Sequence, residues 1–407
     1  MALKFLKFVI LSVLAFIIQP AAFAAGDECL DETLNDDTIT VSFMTCDPGT
    51  EIYALYGHSA IRIRTASGAD WVFNYGMFDF HTSNFVGRFV LGKTDYYMAA
   101  FPFEDFISEY EYRGSAVTEQ ILNLTKEEKE KLLHSLVKIS RYEDWTYRYN
   151  FLYDNCTTRA RDQIENCVNG KITYPKDETQ ESYRQIIHRY TKDCPWSEFG
   201  QDLLLGSDAD KYIGERQKMF APLYMKKYID KAYITDKDGN KRKLVADTKI
   251  YPPIKARKEI KGFPVSPIGV FGTILALTMI ICALEIKWNK IFWGYEAVLM
   301  TIQGLAGCII ATLFFFSEHP TVNSNWLIAI LNPIPIIYMV IRMANIRKHK
   351  YDNYAPIAAG VIFLFIVVSL FISQTFSASV YCFALSLCLQ TATSAYIQHK
   401  AEWKKSK

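Results

Sequence analysis

The sequence predicts a chain in two parts: an exported α+β domain, then a bundle of five transmembrane helices. Three features predict it. A short apolar leader opens the chain, strand and helix patterns mix in a polar first half, and long apolar runs fill the rest. Whole-chain totals hide this split: 407 residues carry 45 Lys+Arg against 43 Asp+Glu, for a net charge of +2. Hydrophobic residues make up 50% and aromatic residues 14%, which excludes a disordered chain. A near-zero charge balance without a long basic run argues against nucleic acid as a partner.

Lys4 and Lys7 precede an apolar run from Phe8 to Ile18, followed by Ala21-Ala22-Phe23-Ala24-Ala25. This is the layout of a signal peptide over residues 1–24, cleaved at Ala22-x-Ala24, so the next part is exported. Residues 25–260 contain no apolar run long enough to span a bilayer and form the expected periplasmic domain.

From Pro264 the composition changes, and residues 261–397 form the expected membrane part. Segments 265–286, 292–316, 326–343, 355–373 and 376–397 approach or exceed the ~20 apolar residues of a spanning helix. Lys287, Lys290, Arg342, Arg347, Lys348, Lys350 and four tail lysines lie on one side, whereas loops 317–325 and 374–375 have no Lys or Arg. The positive-inside rule then puts the tail, 398–407, in the cytoplasm of a multi-pass inner-membrane protein. Five spans return residue 260 to the outside, as the leader requires. Lys255, Arg257, Lys258 and Lys261 sit on that outer side, but long translocated domains are largely exempt from the rule.

Nine cysteines divide unevenly. Cys282, Cys308, Cys382 and Cys388 fall inside spans as small apolar residues. Cys29, Cys46, Cys156, Cys167 and Cys194 belong to the exported part, where an odd count leaves a thiol over. Pairing Cys29 with Cys46 and Cys167 with Cys194 would leave Cys156 free. There is no C-x-x-C or H-x-x-H spacing, so neither a metal nor a cofactor is implied.

His58-Ser59-Ala60-Ile61-Arg62-Ile63-Arg64 alternates as a strand, Ala66-Ser67-Gly68-Ala69 supplies a turn, and Trp71 to Tyr75 returns. His58 thus opens a hairpin, with Asn74 to Asp79 as the stretch able to lie across from it. Thr125-Lys126-Glu127-Glu128 is a capping box for a helix that buries Leu132, Leu133, Leu136 and Ile139. After Cys156, Ala160, Ile164 and Val168 recur every four residues, the face of a helix capped by Asp154 or Asn155. Cys156 then sits at the positive end of a helix beside Arg159 and Arg161, which favours its thiolate. A nucleophilic Cys, a His to move protons and a polar residue to orient that His make an acyl-transfer site. The Asn155 and Cys156 amides are the candidate oxyanion donors.

At these residues the sequence resembles the Lnb-type bacterial lipoprotein N-acyltransferases. The matching elements are Tyr56-Gly57-His58-Ser59, Asn74-Tyr75-Gly76-x-Phe78-Asp79-Phe80 and Asp154-Asn155-Cys156-Thr157-Thr158-Arg159. Asp202-Leu203-x-Leu205-Gly206, Ala209-Asp210, Phe220-x-Pro222, Ser317-x-His319-Pro320, Asn325-Trp326 and Asn332-Pro333 match as well. The resemblance implies a permuted papain-like fold, as in the lecithin:retinol acyltransferase group, with the His strand ahead of the Cys helix. It implies that Cys156 takes an acyl chain from a phospholipid as a thioester. The chain then passes to the α-amine of a diacylated lipoprotein, with His58 as general base. Asn74 and Asp79 both remain open as the residue that orients His58. Substrate-binding roles are implied for Tyr56, Asn155 and Arg159, and in the membrane half for His319 and Asn325. A peptidoglycan-directed cysteine peptidase of the same fold, and a membrane protein that binds lipid or lipoprotein without turnover, are the competing readings. Glu285 and Glu296 near one boundary do not make the chain of mid-membrane carboxylates that a transporter needs.

Overall fold

The computed structural model describes residues 38–79, 83–141, 146–257 and 262–405. The leader, Cys29, Phe80, Lys258 and Lys261 lie outside the described residues. The chain forms two compact units, one from Met1–Gln180 with Ile213–Ile260 and one from Glu181–Tyr212 with Lys261–Lys407. The sequence reading placed its cut at residue 260; Glu181–Tyr212 instead packs into the second unit.

The first unit is α+β. Strands β1 (Ile39–Cys46), β2 (His58–Thr65), β3 (Asp70–Met77), β4 (Asp95–Pro102), β5 (Val117–Leu122) and β6 (Tyr147–Arg148) form a seven-stranded sheet with the late strand Val245–Tyr251. Its order is Val245–Tyr251, β5, β1, β2, β3, β4, β6, and the pairs are antiparallel. The expected hairpin is β2–β3, with Ile61 opposite Phe73 and Arg64 opposite Asp70.

Both faces of the sheet are covered, so its central strands are buried over most of their length, polar residues included. Val41, Phe43, Ile61, Ile63 and Phe73 face one core with the helices Lys126–Arg141 and Cys156–Cys167. Met44, Cys46, Ala60 and Val72 face the other, under Phe106 and Ile107 of the helix Phe103–Arg113. The helix Lys126–Arg141 begins at the predicted capping box: the Thr125 amide donates to Glu128 Oε2 at 2.9 Å, and the Glu128 amide donates to Thr125 Oγ1 at 3.3 Å. Leu132, Leu133 and Leu136 are buried as their spacing predicts, and Ile139 packs half-buried against them.

A buried charge clamps the sheet. Arg62 donates to both Asp70 oxygens at 2.7 and 2.6 Å, and to Glu119 Oε2 and the Tyr251 hydroxyl at 3.0 Å each. Its guanidinium lies 3.3 Å from the Phe103 ring centroid, and Glu119 also accepts from Ser42 at 2.7 Å. Four strands and one helix therefore meet at a single cation, and β1 joins them through Glu119.

The second unit is helical. Pro267–Trp288, Trp293–Phe316, Trp326–Arg347 and Ala378–Ala401 are long and apolar enough to cross a membrane. The expected fifth span, 355–373, is a helix only over Tyr354–Val368. At 1.5 Å per residue it reaches about 22 Å, short of the ~30 Å hydrocarbon core. The third span is also irregular, a 3-10 turn Trp326–Ala329 followed by the helix Ile334–Arg347, because Pro333 and Pro335 interrupt the backbone ladder.

Arg342, expected in a basic loop, lies inside that helix with no exposure. It donates to Glu296 at 2.7 Å, Asp352 at 2.8 Å, Gln398 at 2.9 Å and Ser394 at 2.5 Å. A neutralised, buried cation carries no orientation signal, so the charge argument rests on the other basic residues. Gly307 lies so close to Asn332 that a Cβ would come within 2.2 Å of its carbonyl oxygen.

Replacing Arg62 by Met should lower the stability of the first unit by about 3–5 kcal/mol, because Glu119 would stay buried without its cation. Adding Glu119→Leu should recover part of that loss. Thermal unfolding of the full chain, read by tryptophan fluorescence, measures both.

Candidate active site

The cysteine helix begins at Cys156 because Asn155 caps it. Asn155 Oδ1 accepts from the amides of Thr157 and Thr158 at 2.9 and 3.0 Å, and the Asn155 amide donates to Thr158 Oγ1 at 2.8 Å. Its Nδ2 donates to the carbonyls of Phe151 and Phe220 at 2.8 and 2.9 Å. Both ends of the Asn155 side chain are therefore engaged, and Cys156 is held half-buried as the first helical residue. Phe151 is itself wedged edge-on between Tyr56 and Phe220, at 4.7 and 5.7 Å.

His58 arrives from the sheet. Gly57 has φ +78°, and a Cβ there would lie 2.4 Å from the Cys46 carbonyl oxygen, so only glycine turns the chain into β2 at that point. The β2–β3 register carries Asn74 to a diagonal neighbour of His58, and Asn74 Oδ1 stands 3.0 Å from His58 Nε2. That leaves the other ring nitrogen for the side-chain hydrogen bond between His58 and Cys156. The Ser59 amide donates to the Cys156 sulfur, and the Thr157 hydroxyl, 3.9 Å from that sulfur, donates to Ser59 Oγ at 3.1 Å. Gly76, at φ +94°, is the extra residue of a bulge in β3, and a Cβ on it would be 3.8 Å from the Cys156 Cβ.

The electrostatics follow from this geometry. Burial alone would raise the Cys156 thiol; the His58 imidazolium, its hydrogen bond and the Ser59 amide hold it below the ordinary thiol range instead. Burial alone would lower His58; the Cys156 thiolate and the bonds to Cys156 and Asn74 hold it above the ordinary imidazole value. Each group therefore favours the charged form of the other. Cys46, opposite His58 in the ladder, is pushed well up by burial and stays a neutral thiol.

The other expected site residues fall into place differently. Asp79 is exposed beyond the end of β3, and the His58 ring nitrogen meets Asn74. The Asn155 amide, expected as an oxyanion donor, is occupied by Thr158; the Cys156 amide, at the first helical position, has no carbonyl four residues back within the helix. Asn155 is buried, and its side chain is engaged in the cap and in the Phe151 and Phe220 carbonyls. Arg159 forms a two-pronged ion pair with Asp154 and lies 4.4 Å from the Tyr147 ring centroid, and Tyr56 packs on Phe151.

His319 and Asn325 belong to the second unit. Half-buried His319 follows the Trp293–Phe316 helix, its amide donating to Ser317 Oγ at 3.2 Å. Asn325 is buried: its side-chain Nδ2 donates to the Leu203 carbonyl at 2.8 Å, and its Oδ1 accepts from the Leu327 amide at 3.0 Å and Gln374 Nε2 at 2.9 Å. These bonds make it a joint within the second unit. The expected Cys167–Cys194 disulfide is not formed either, since Cys167 is a buried thiol donating to the Ile164 carbonyl at 3.1 Å.

Two family models match the chain: the Lnb N-terminal periplasmic domain over residues 26–192, and the Lnb transmembrane domain over residues 258–402. The chain belongs to the Lnb-type family. No curated protein and no solved structure matches it. The first match contains Cys156, His58 and Asn74, and the second covers the four long apolar helices.

Sequence reasoning about this Lnb-type chain missed the contacts that hold the site. The Ser59 amide leaves no mark in a side-chain pattern. The Phe220 carbonyl was visible only as a motif, Phe220-x-Pro222, with no stated role. Arg184 went unnoticed; it is buried among Asp202, Asp210 and the carbonyls of Leu205 and Gly206, and the two aspartates of the matching motifs are its partners.

Alkylation of Cys156 by iodoacetamide should have a pH midpoint below the ordinary thiol range, with Cys156→Ser as the blank. His58→Ala removes the imidazolium and leaves burial acting alone, so the midpoint should rise. Labelling at a fixed pH below the midpoint should fall roughly tenfold for each unit of that rise.

Proposed function

We propose that this protein is a lipoprotein N-acyltransferase. It would move a fatty acyl chain from a phospholipid, through a Cys156 thioester, to the α-amine of a diacylglyceryl-cysteine lipoprotein. The observation that carries this reading is the ordered set Cys156, His58 and Asn74, on a domain whose chain continues into membrane-spanning helices. A helix with cysteine at its N-terminus, packed on an antiparallel sheet that supplies the histidine, supports a permuted papain-like arrangement.

In the first half-reaction the Cys156 thiolate attacks the ester carbonyl carbon, and the Cys156 amide donates to the developing oxyanion. The carbon–oxygen bond then breaks, and the lysophospholipid oxygen leaves with the proton from the His58 imidazolium. In the second, the lipoprotein amine attacks the thioester carbonyl and gives its proton to neutral His58. The carbon–sulfur bond breaks, and Cys156 leaves as the thiolate that began the cycle. One ester and one amine become one alcohol and one amide, with no external oxidant, reductant or cofactor. Asn74 holds the imidazole ring in place through both proton transfers. A bilayer-anchored enzyme meets both lipid substrates in two dimensions, which replaces a search through solution. The inner membrane is the expected site, with the first domain in the periplasm and the tail in the cytoplasm.

Activity requires the thiolate and the imidazolium together. It should rise with pH as Cys156 deprotonates, below the usual thiol range, and fall as His58 deprotonates, above the usual imidazole value. Asn74→Ala removes a bond that stabilises the imidazolium. The alkaline limb should therefore move to lower pH, and kcat should fall roughly 10- to 100-fold through misorientation.

The deciding experiment is complementation in cells depleted of their own lipoprotein N-acyltransferase, with mass spectrometry of one lipoprotein's N-terminal peptide. Wild type should restore the triacyl form, and Cys156→Ser and His58→Ala should leave the diacyl form. Diacyl lipoproteins in cells expressing the wild type would reject N-acylation and move the test to peptidoglycan fragments.

A further inference from the structure

The helices Ile334–Arg347 and Tyr354–Val368 of the second unit bound a cavity of about 630 Å³. A small-molecule site typically has about 300–1,000 Å³. Tyr354, Ile357, Ala358, Val361 and Ile362 recur at three- and four-residue steps, so one face of the second helix lines the cavity. Ile334, Pro335, Tyr338 and Asn345 line it from the first helix, and Gln303 from Trp293–Phe316. The stretch from Ile334 to Asn345 is about 17 Å of helix, close to the ~15 Å of hydrocarbon in one leaflet.

The two ends of the cavity differ. One is aliphatic, with Ile334 and Val361 exposed on its rim. At the other, Asn345 and Asp352 gather with Tyr338, Tyr351 and Tyr354, and the rings of Tyr338 and Tyr354 stack at 5.2 Å and 16°. Asp352 is buried there without a cation of its own. Arg342 is shared between Glu296 at 2.7 Å and Asp352 at 2.8 Å, so one guanidinium faces two carboxylates. The other partners of Asp352 are neutral, the Tyr354 amide at 3.1 Å and Asn345 Nδ2 at 3.2 Å. Among the described residues no second cation pairs with either carboxylate. A carboxylate in excess at the head of a cavity fits a cationic group, and the tyrosine faces beside it fit the same charge.

We propose that this cavity binds one phospholipid with a primary-ammonium headgroup, of the phosphatidylethanolamine kind. The ammonium meets Asp352 and the tyrosine rings, and one acyl chain runs along the aliphatic end toward Ile334 and Val361. A primary ammonium has three N–H donors for the remaining carboxylate lone pairs; a quaternary ammonium has none, and a glycerol headgroup has no cation. Exposed Lys348 and Lys350, on the connection between the two helices, suit the lipid phosphate. The site uses neither Cys156 nor His58, so it stands apart from the acyltransferase reading.

Two measurements on the full-length protein test the site. In the first, the protein in mild detergent is titrated with phosphatidylethanolamine, phosphatidylglycerol and phosphatidylcholine of identical acyl chains, and bound lipid is read by native mass spectrometry. Wild type should retain one phosphatidylethanolamine about tenfold better than either other lipid, the worth of one charge-assisted hydrogen bond. Asp352→Asn removes the excess charge and should level the three. Equal retention by the wild type, or a preference that survives Asp352→Asn, overturns the proposal.

Asp352→Asn also loosens Arg342, so the second measurement leaves the ion pairs intact. A benzophenone amino acid replaces Val361 or, as the control, Phe363, which is exposed and does not line the cavity. The protein is irradiated in mixed phosphatidylethanolamine–phosphatidylglycerol vesicles in which one lipid or the other carries an alkyne on its chain. Position 361 should favour phosphatidylethanolamine adducts over phosphatidylglycerol adducts, and position 363 should follow the composition of the vesicle. The same ratio at both positions makes the cavity part of the general lipid belt and overturns the proposal, as does the absence of a lipid adduct at 361.

Discussion

The candidate site depends on one amide side chain. Asn155 caps the cysteine helix through its oxygen and ties two loops through its nitrogen, so the helix starts at Cys156 and at no neighbouring residue. A helix start one residue away would turn the sulfur by about 100° around the axis, out of reach of His58. An Asp at this position could accept the two capping bonds but could not donate to Phe151 and Phe220. The cap also engages the Asn155 amide with the Thr158 hydroxyl.

The sheet supplies the other half by geometry that glycine makes possible. Gly57 lets the chain pass close under the Cys46 carbonyl just before His58, and Gly76 bulges β3 beside the sulfur. Between them, the β2–β3 register sets Asn74 on the imidazole. Arg62 then locks that register from the far end of the hairpin, because Asp70 and Glu119 meet it from two different strands. Two neighbouring thiols show what this surrounding does. Burial pushes the Cys46 thiol well up, whereas His58 and the Ser59 amide hold the Cys156 thiol below its ordinary range.

In the second unit the same physics runs with different materials. Polar side chains there are engaged with one another: Arg342 with Glu296 and Asp352, and Glu285 with Gln390 and the Phe292 amide. Asn325 and Gln374 join the segment Glu181–Tyr212 to the helices, next to the Arg184 cluster that holds that segment together. Paired groups of this kind are the tolerated form of polarity in an apolar surrounding.

Periodicity and local chemistry made much of this legible in the sequence. The hairpin, the Thr125 capping box, the buried faces of two helices and the position of Cys156 at a helix start all depend on residues a few positions apart. So did four of the five spans. The fifth segment is a shorter helix, Tyr354–Val368, than the expected 355–373, because hydropathy counts apolar residues and does not register where a helix ends; Arg342 was misjudged because a charge in sequence does not show its partners. Tertiary structure alone brought Asn74, rather than Asp79, to the His58 ring, since a hairpin register depends on the turn and on the clamp at its far end. It also engaged Asn155 and Asn325 internally and brought the Ser59 amide to the sulfur. The longer of those contacts join residues 16 to 122 positions apart, and backbone groups, which are the same in every residue, carry several of them.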